Sequence, residues 1–123
     1  MIQLRREFGL ILCSLNIGIN GSKMFLKNVL IDTGSATTLL NSNYIELDGS
    51  ETIRKAYGVG GHETILKKEI SYFEIDGLII KDFKISLGEM DYGIELDCIL
   101  GLDILDELGA FINLKSLNLV FNK

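Results

Sequence analysis

The stretch VLIDTGSATTLL, Val29 to Leu40, constrains this chain more than any other. Three apolar residues run directly into a carboxylate, and Thr33, Gly34 and Ser35 follow before a second run of Thr and Leu. An unpaired buried charge is costly. A buried strand that ends on Asp32 must therefore open into a solvated turn or hold that charge with hydrogen bonds. Asp, Gly and Ser are common turn formers, so an inert β-turn is the plain alternative.

The length of 123 residues suits a single domain, 1–123. Hydrophobic residues make up 47% and charged ones 24%, a balance that indicates a folded chain rather than a disordered one. Valine and isoleucine recur in short runs and proline is absent, which favours strands. A net charge of −5 with no basic stripe argues against nucleic acid as a partner. Arg5-Arg6 and Lys67-Lys68 are each followed by a glutamate and read as solvated surface.

No apolar stretch approaches the length of a membrane span, so no membrane partner is expected. Arg5 and Arg6 precede FGLILCSL in the manner of a short signal peptide, but no small-residue cleavage site follows. Cys13 and Cys98 are far apart and form no C-x-x-C pair, so no metal or redox motif is supported. Both sit in apolar runs and read as buried free thiols of a reducing compartment, with a bridge between them left open. A cytoplasmic location is the expectation from these two features.

Hydrophobic periodicity predicts the elements. Phe8 to Ile19 reads as a strand, Ile19 to Lys23 as a hairpin turn around Asn20-Gly21, and Met24 to Ile31 as the returning strand. That strand is apolar on both faces and is expected to be covered on both sides. Asp32 to Ser35 is a turn, Ala36 to Leu40 another strand, and Asn41 to Ser50 a polar loop. Thr52 to Tyr57 and Glu63 to Ile70 flank a glycine-rich tip, and Ser71 to Ile75 and Leu78 to Leu87 flank Asp76-Gly77. Ile94 to Leu100 alternates before turning apolar. Gly101 to Gly109 is the one helix, with Leu102, Leu105 and Leu108 on one face and Gly109 as its stop. Phe111 to Phe121 reads as two short strands around Lys115-Ser116. The sum is an all-β barrel or sandwich with one short helix.

Several other chemistries find no support. His62 is the single histidine, which rules out a zinc site or a Ser-His-Asp triad. Glu89, Asp91, Glu95 and Asp97 lack the glycine and spacing of a calcium loop and read as a solvated strand edge. Gly58 to Gly61 lacks the spacing of a dinucleotide fingerprint. No metal and no cofactor is expected.

Three features stand in a telling order: Asp32-Thr33-Gly34-Ser35 after an apolar strand, a glycine-tipped hairpin from Tyr57 to Gly61, and Ile99-Leu100-Gly101 opening a helix. This order resembles the retropepsin-like aspartic proteases, of the cellular and bacterial type, over nearly the whole chain from about Phe8 to Phe121. The resemblance implies an acid-protease closed barrel with a flap hairpin and one short C-terminal helix. It implies an aspartic endopeptidase acting on extended polypeptide.

Because the chain carries one Asp-Thr-Gly, the dyad would be Asp32 and its copy in a homodimer. Two such close carboxylates cannot both ionise, so they share a proton, and the titration belongs to the pair. By the same resemblance, Thr33 would bond across the dimer axis, Gly34 would let backbone approach the carboxylate, and Ser35 would offer its hydroxyl to Asp32. Tyr57, Gly58, Val59, Gly60 and Gly61 would form the flap over substrate, and Ile99, Leu100 and Gly101 would thread past the catalytic loop. The closing strands would help build the dimer interface. The chain departs from viral members at Leu102-Asp103, where they carry an arginine; Asp103 is expected to cap the helix or to hydrogen-bond in the core. The alternative function is a catalytically weak domain of this kind serving as a dimerisation or peptide-binding module.

Overall fold

The computed structural model of the chain describes residues 1–19, 21–44, 49, 51–58, 61–88, 90 and 93–122, with the backbone path alone for 52–58 and 61–64. The strands are β1 (Ile2–Glu7), β2 (Leu10–Ile19), β3 (Ser22–Ile31), β4 (Leu39–Asn41), β5 (Thr52–Gly58), β6 (Gly61–Ile75), β7 (Leu78–Gly88), β8 (Cys98–Leu100), β9 (Ala110–Asn113) and β10 (Asn118–Phe121). A short 3-10 turn covers Ser42–Tyr44, and one helix, α1, covers Leu102–Glu107. The molecule is thus all-β with one short helix.

The sheet runs β5-β6-β7-β4-β8-β3-β2-β1-β10-β9, and β6 also pairs with β2. Ile17, Gly18 and Ile19 of β2 face Ile75, Glu74 and Phe73 of β6, so β2, β3, β8, β4, β7 and β6 return to their starting strand. Within this ring β8 lies between β3, to which it is parallel, and β4, to which it is antiparallel. The chain leaves β3, loops over the end of β8 and returns as β4.

Several boundaries differ from the sequence reading. The strand expected over Phe8–Ile19 is β2, Leu10–Ile19, and β1 before it was not anticipated; Phe8 and Gly9 take left-handed angles (φ 56° and 73°) and turn the chain between Glu7 and Leu10. The strand expected over Ala36–Leu40 is confined to Leu39–Asn41, since Ser35 to Thr38 are engaged in loop hydrogen bonds. The segments 63–70 and 71–75 are one strand. Its break survives as a kink: Ile70 pairs with Phe83 and Tyr72 with Lys81, while Asp82 between them has φ 52°. The buried set changes parity there, from Lys68 and Ile70 on one face to Phe73 and Ile75 on the other. The expected turn residue Asn20 lies outside the described residues; Ile19 pairs with Ser22.

β3 was expected to be covered on both sides, and a bulge explains how. Cys13 pairs with Val29 and Leu15 with Leu26, so two residues of β3, Lys27 and Asn28, face Ser14 alone. The extra residue brings both Leu26 and Val29 into the main core, each fully buried. That core gathers Leu4, Leu15, Ile17, Phe73, Ile75, Ile85, Leu87, Leu100, Ile104, Leu108 and Leu119. On the opposite face Leu12, Leu30, Ile99 and Leu39 form a row across β2, β3, β8 and β4, covered by Met90, Ile94 and Leu96.

The same registers settle the cysteines. Cys13 and Cys98 both pair with Val29, from opposite sides. Two strand spacings, about 10 Å, separate their backbones, beyond the roughly 7 Å limit for a disulfide. Both are buried free thiols.

The two basic pairs are not wholly solvated. Arg5 donates to Ser14 Oγ, Asn28 Oδ1 and the Lys27 carbonyl, clamping the bulge. Lys68 is buried and paired with Glu51 at 3.1 Å.

Candidate active site

Asp32 follows directly on β3, and its amide donates to the Leu100 carbonyl at 3.0 Å, one residue past the β3–β8 ladder. Ser35 N–H donates back to the Asp32 carbonyl at 3.2 Å, which closes the expected turn. The carboxylate is half-buried, and its Oδ1 accepts the Gly34 N–H at 2.9 Å. A Cβ at Gly34 would stand 3.2 Å from that oxygen, so glycine lets the amide come close. Thr33 is exposed. Ser35 differs from expectation. Its hydroxyl donates to the Thr37 carbonyl at 2.8 Å rather than to Asp32, because the loop turns back on itself there.

Ile99, Leu100 and Gly101 pass under this loop. Leu102 N–H donates to the Ser35 carbonyl at 2.8 Å. Gly101 has no room for a side chain: a Cβ there would meet the Thr37 carbonyl oxygen at 2.5 Å and the Ser35 carbonyl oxygen at 2.9 Å. Both are backbone atoms, so the crossing demands glycine.

Thr38 is the residue that sequence reasoning missed. It is fully buried, its Oγ1 accepts the Gly101 N–H at 3.0 Å, and its hydroxyl donates to Asp103 Oδ1 at 2.6 Å. Thr38 N–H donates to Asp103 Oδ2 at 3.0 Å, and Ile104 N–H to Asp103 Oδ1 at 2.7 Å. Asp103 therefore makes the core hydrogen bonds that were one of its two expected roles; the N-cap is Gly101, with no side-chain cap. A threonine within a β-rich run carries no outward mark of this duty. α1 also buries Ile104 and Leu105, its C-cap Leu108 is buried beside them, and Leu102 is 45% exposed. The expected 102/105/108 face is displaced because Leu102 sits beside the loop, outside the core.

A second polar centre lies at the other end of β8. Asp97 was expected on a solvated edge and is instead buried. Its Oδ2 accepts Asn28 N–H at 2.8 Å and its Oδ1 accepts the Tyr44 hydroxyl at 2.6 Å. The hydrogen bond to Asp97, aided by burial, pushes the Tyr44 phenol up to about 12. Asp97 N–H donates to the Asn28 carbonyl and Asn41 N–H to the Asp97 carbonyl, so one residue ties β3, β4 and β8 together. Glu95 is exposed as expected, while Glu89 and Asp91 lie outside the described residues.

Of the flap set, Tyr57, Gly58 and Gly61 lie in the β5–β6 hairpin, where Tyr57 faces His62 and Gly58 faces Gly61. Val59 and Gly60 lie outside the described residues. Among the described residues no group of His, Cys, Asp and Glu could hold a metal ion, and no helix is long and apolar enough to cross a membrane.

The site thus brings together Asp32 to Ser35, Thr37, Thr38, Ile99 to Gly101 and Asp103. It offers one carboxylate, oriented by a backbone amide, on a loop pinned at both ends. No protein-family model matches the chain, and no curated protein matches it significantly.

Proposed function

We propose that the chain is an aspartic endopeptidase of the retropepsin-like kind, active as a homodimer on extended polypeptide. One observation carries this reading. Asp32 sits on a loop that spans β8, with its Oδ1 on the Gly34 amide and Gly101 passing beneath it. An inert turn needs no strand crossing under it at backbone contact distance. The return of the strand order from β6 to β2 also supports the acid-protease barrel.

In the chemistry proposed, Asp32 of one chain takes a proton from a bound water, whose oxygen attacks the scissile carbonyl carbon. The Asp32 of the second chain gives its proton to the carbonyl oxygen. The gem-diol then collapses: one hydroxyl returns its proton to the Asp32 that had given one, the C–N bond breaks, the nitrogen takes the proton held by the other Asp32, and an acid and an amine leave with the dyad again sharing one proton. Each carboxylate needs an orienting donor, and the Gly34 amide supplies one.

The test is cleavage of a peptide library by the wild type and by Asp32→Asn. The reading expects cleavage by the wild type, loss of at least about a thousandfold in the variant, and inhibition by a statine-type transition-state mimic. Equal cleavage by both proteins would overturn the assignment to Asp32. Absence of cleavage by a folded dimer would point to the peptide-binding module instead.

A further inference from the structure

β5 stands at one end of the sheet order, and β6 is its sole strand partner among the described residues. One ladder therefore decides how β5 lies. A register is well specified where a strand has one apolar and one polar face. β5 lacks that contrast: Ile53, Lys55 and Tyr57 alternate with Thr52, Arg54 and Ala56. The hairpin sequence does not favour the adopted pairing either. Two-residue turns favour Gly-Gly, and a β-branched residue suits them poorly. Gly58 pairs with Gly61, and the sequence between them reads Val59-Gly60. Sliding β5 by two residues would pair Val59 with His62 around Gly60-Gly61. Such a slide keeps the same residues on each face, so hydrophobic pattern does not oppose it.

The other end of the hairpin supplies what the turn does not. Thr52 pairs with Lys67, so the next position sets Glu51 beside Lys68. Lys68 Nζ lies 3.1 Å from Glu51 Oε2, and the two side chains are 11% and 6% exposed. Glu51 Oε1 also accepts the Gly49 N–H at 3.1 Å. Lys68 shares a face of β6 with Leu66 and Ile70, and its partner across β7 is the fully buried Ile85. A buried ion pair adds little stability over apolar side chains of like size, and its best-attested use is to select a register. In the displaced pairing Glu51 would face Ile70 and Lys68 would face Ile53. Each charge would then stand against an apolar partner, which is costly.

We infer that the Glu51–Lys68 pair is a register key: it holds the β5–β6 hairpin in the observed pairing against a second pairing, two residues displaced, that Gly60-Gly61 favours. Local turn chemistry and the buried charges pull toward different registers, which makes the hairpin a two-state element. Release of the key slides β5 along β6 by about 7 Å. The inference does not rest on the peptidase reading. Under that reading, the register would set how far the hairpin reaches toward substrate.

The experiment traps each register with a cysteine pair in the full chain. Lys55→Cys with Thr64→Cys reports the observed pairing. Arg54→Cys with Lys67→Cys reports the displaced one. Arg54 now pairs with Ile65, so Arg54 and Lys67 are diagonal neighbours about 8 Å apart, beyond disulfide reach. Closure rates in a glutathione buffer are read by peptide mass mapping, with far-UV circular dichroism as the check on folding. With the ion pair intact, the first pair is expected to close at least about tenfold faster than the second. Lys68→Met, and separately Glu51→Gln, is expected to speed closure of the second pair at least about tenfold. Exchanging the charges, Glu51→Lys with Lys68→Glu, is expected to undo that gain. So is Val59→Asn added to Lys68→Met, because it places Asn-Gly between the observed pair. Unchanged closure in a folded single variant would overturn the inference, as would failure of either restoration. A protein that unfolds on loss of either charge and refolds when the charges are exchanged would make the pair a stabilising contact alone, and would also overturn it. No readout involves turnover, so the peptidase reading stands or falls separately.

Discussion

Thr38 shows how much one buried hydroxyl can govern. Its oxygen accepts from Gly101 and its proton goes to Asp103, so one atom joins the end of the Asp32 loop to the start of α1. Replacing it by valine keeps the shape, leaves the buried Gly101 N–H without its acceptor, and takes from Asp103 Oδ1 one of its two donors, the Ile104 N–H remaining. Each buried unmet group costs about 1–3 kcal/mol. Thr38→Val is therefore expected to lose about 2–4 kcal/mol in urea unfolding, while Thr38→Ser, which keeps the hydroxyl, loses under about 1 kcal/mol. Similar losses for both variants would mean that the methyl, not the hydrogen bonds, matters. Sequence reading singled out Asp32, Gly34 and Gly101 because Asp-Thr-Gly-Ser, a glycine-tipped hairpin and Ile-Leu-Gly follow one another in a set order. It did not find Thr38, because threonine is ordinary in strands and its partner Asp103 is far along the chain. Ser35 was found with the wrong partner: the motif names the residue, while the loop's curvature decides where its hydroxyl points.

The elements obey a similar division between what local pattern carries and what it does not. Alternation located most strands, and turn pairs such as Asp76-Gly77 located their ends. Phe8-Gly9 escaped because no turn rule favours phenylalanine, so the first strand was begun at Phe8 and β1 was missed. The bulge in β3 escaped because it is set by long-range partners, Arg5, Ser14 and Asp97. Asp97 is the keystone of that arrangement. Asp97→Ala is expected to cost about 2–4 kcal/mol, since Asn28 N–H and the Tyr44 hydroxyl lose their acceptor. Asp97→Asn is expected to cost far less, because its amide oxygen serves Asn28 while its N–H₂ meets the Tyr44 oxygen. Urea midpoints of the two variants check this.

Tyr44 adds a pH dependence. Its folded pKa, about 12, lies above the ordinary value of 10.0, so the folded state holds the proton longer than the unfolded state. Its contribution is whole below pH 10 and is lost as pH rises through about 12. Stability should fall over that window less steeply in Tyr44→Phe. Cys13 acts with the same sign, as burial pushes its thiol up to about 12, and remains in the variant.

At the scale of the molecule, the question is whether one chain makes a complete site. Each chain offers one Asp-Thr-Gly, and the dyad chemistry needs two carboxylates. The last strand pair offers a surface for a second copy: β9 ends the sheet, and Phe111 and Val120, directly paired across β9 and β10, are 68% and 41% exposed. Apolar pairs on a free sheet edge invite strand addition. If the dyad spans two chains, an inactive chain must poison an active one. Mixing equal amounts of wild type and Asp32→Asn, with time to exchange, leaves a quarter of the dimers fully wild type. Activity per wild-type chain then falls to about half, and a ninefold excess of the variant takes it to about a tenth. Phe111→Lys should weaken the dimer and make specific activity drop on dilution, while far-UV circular dichroism stays unchanged. Activity that ignores added Asp32→Asn, in a protein whose subunits demonstrably exchange, would mean that a single chain completes the site. Asp32 would then need a partner within its own chain, and the two-fold dyad would have to be abandoned.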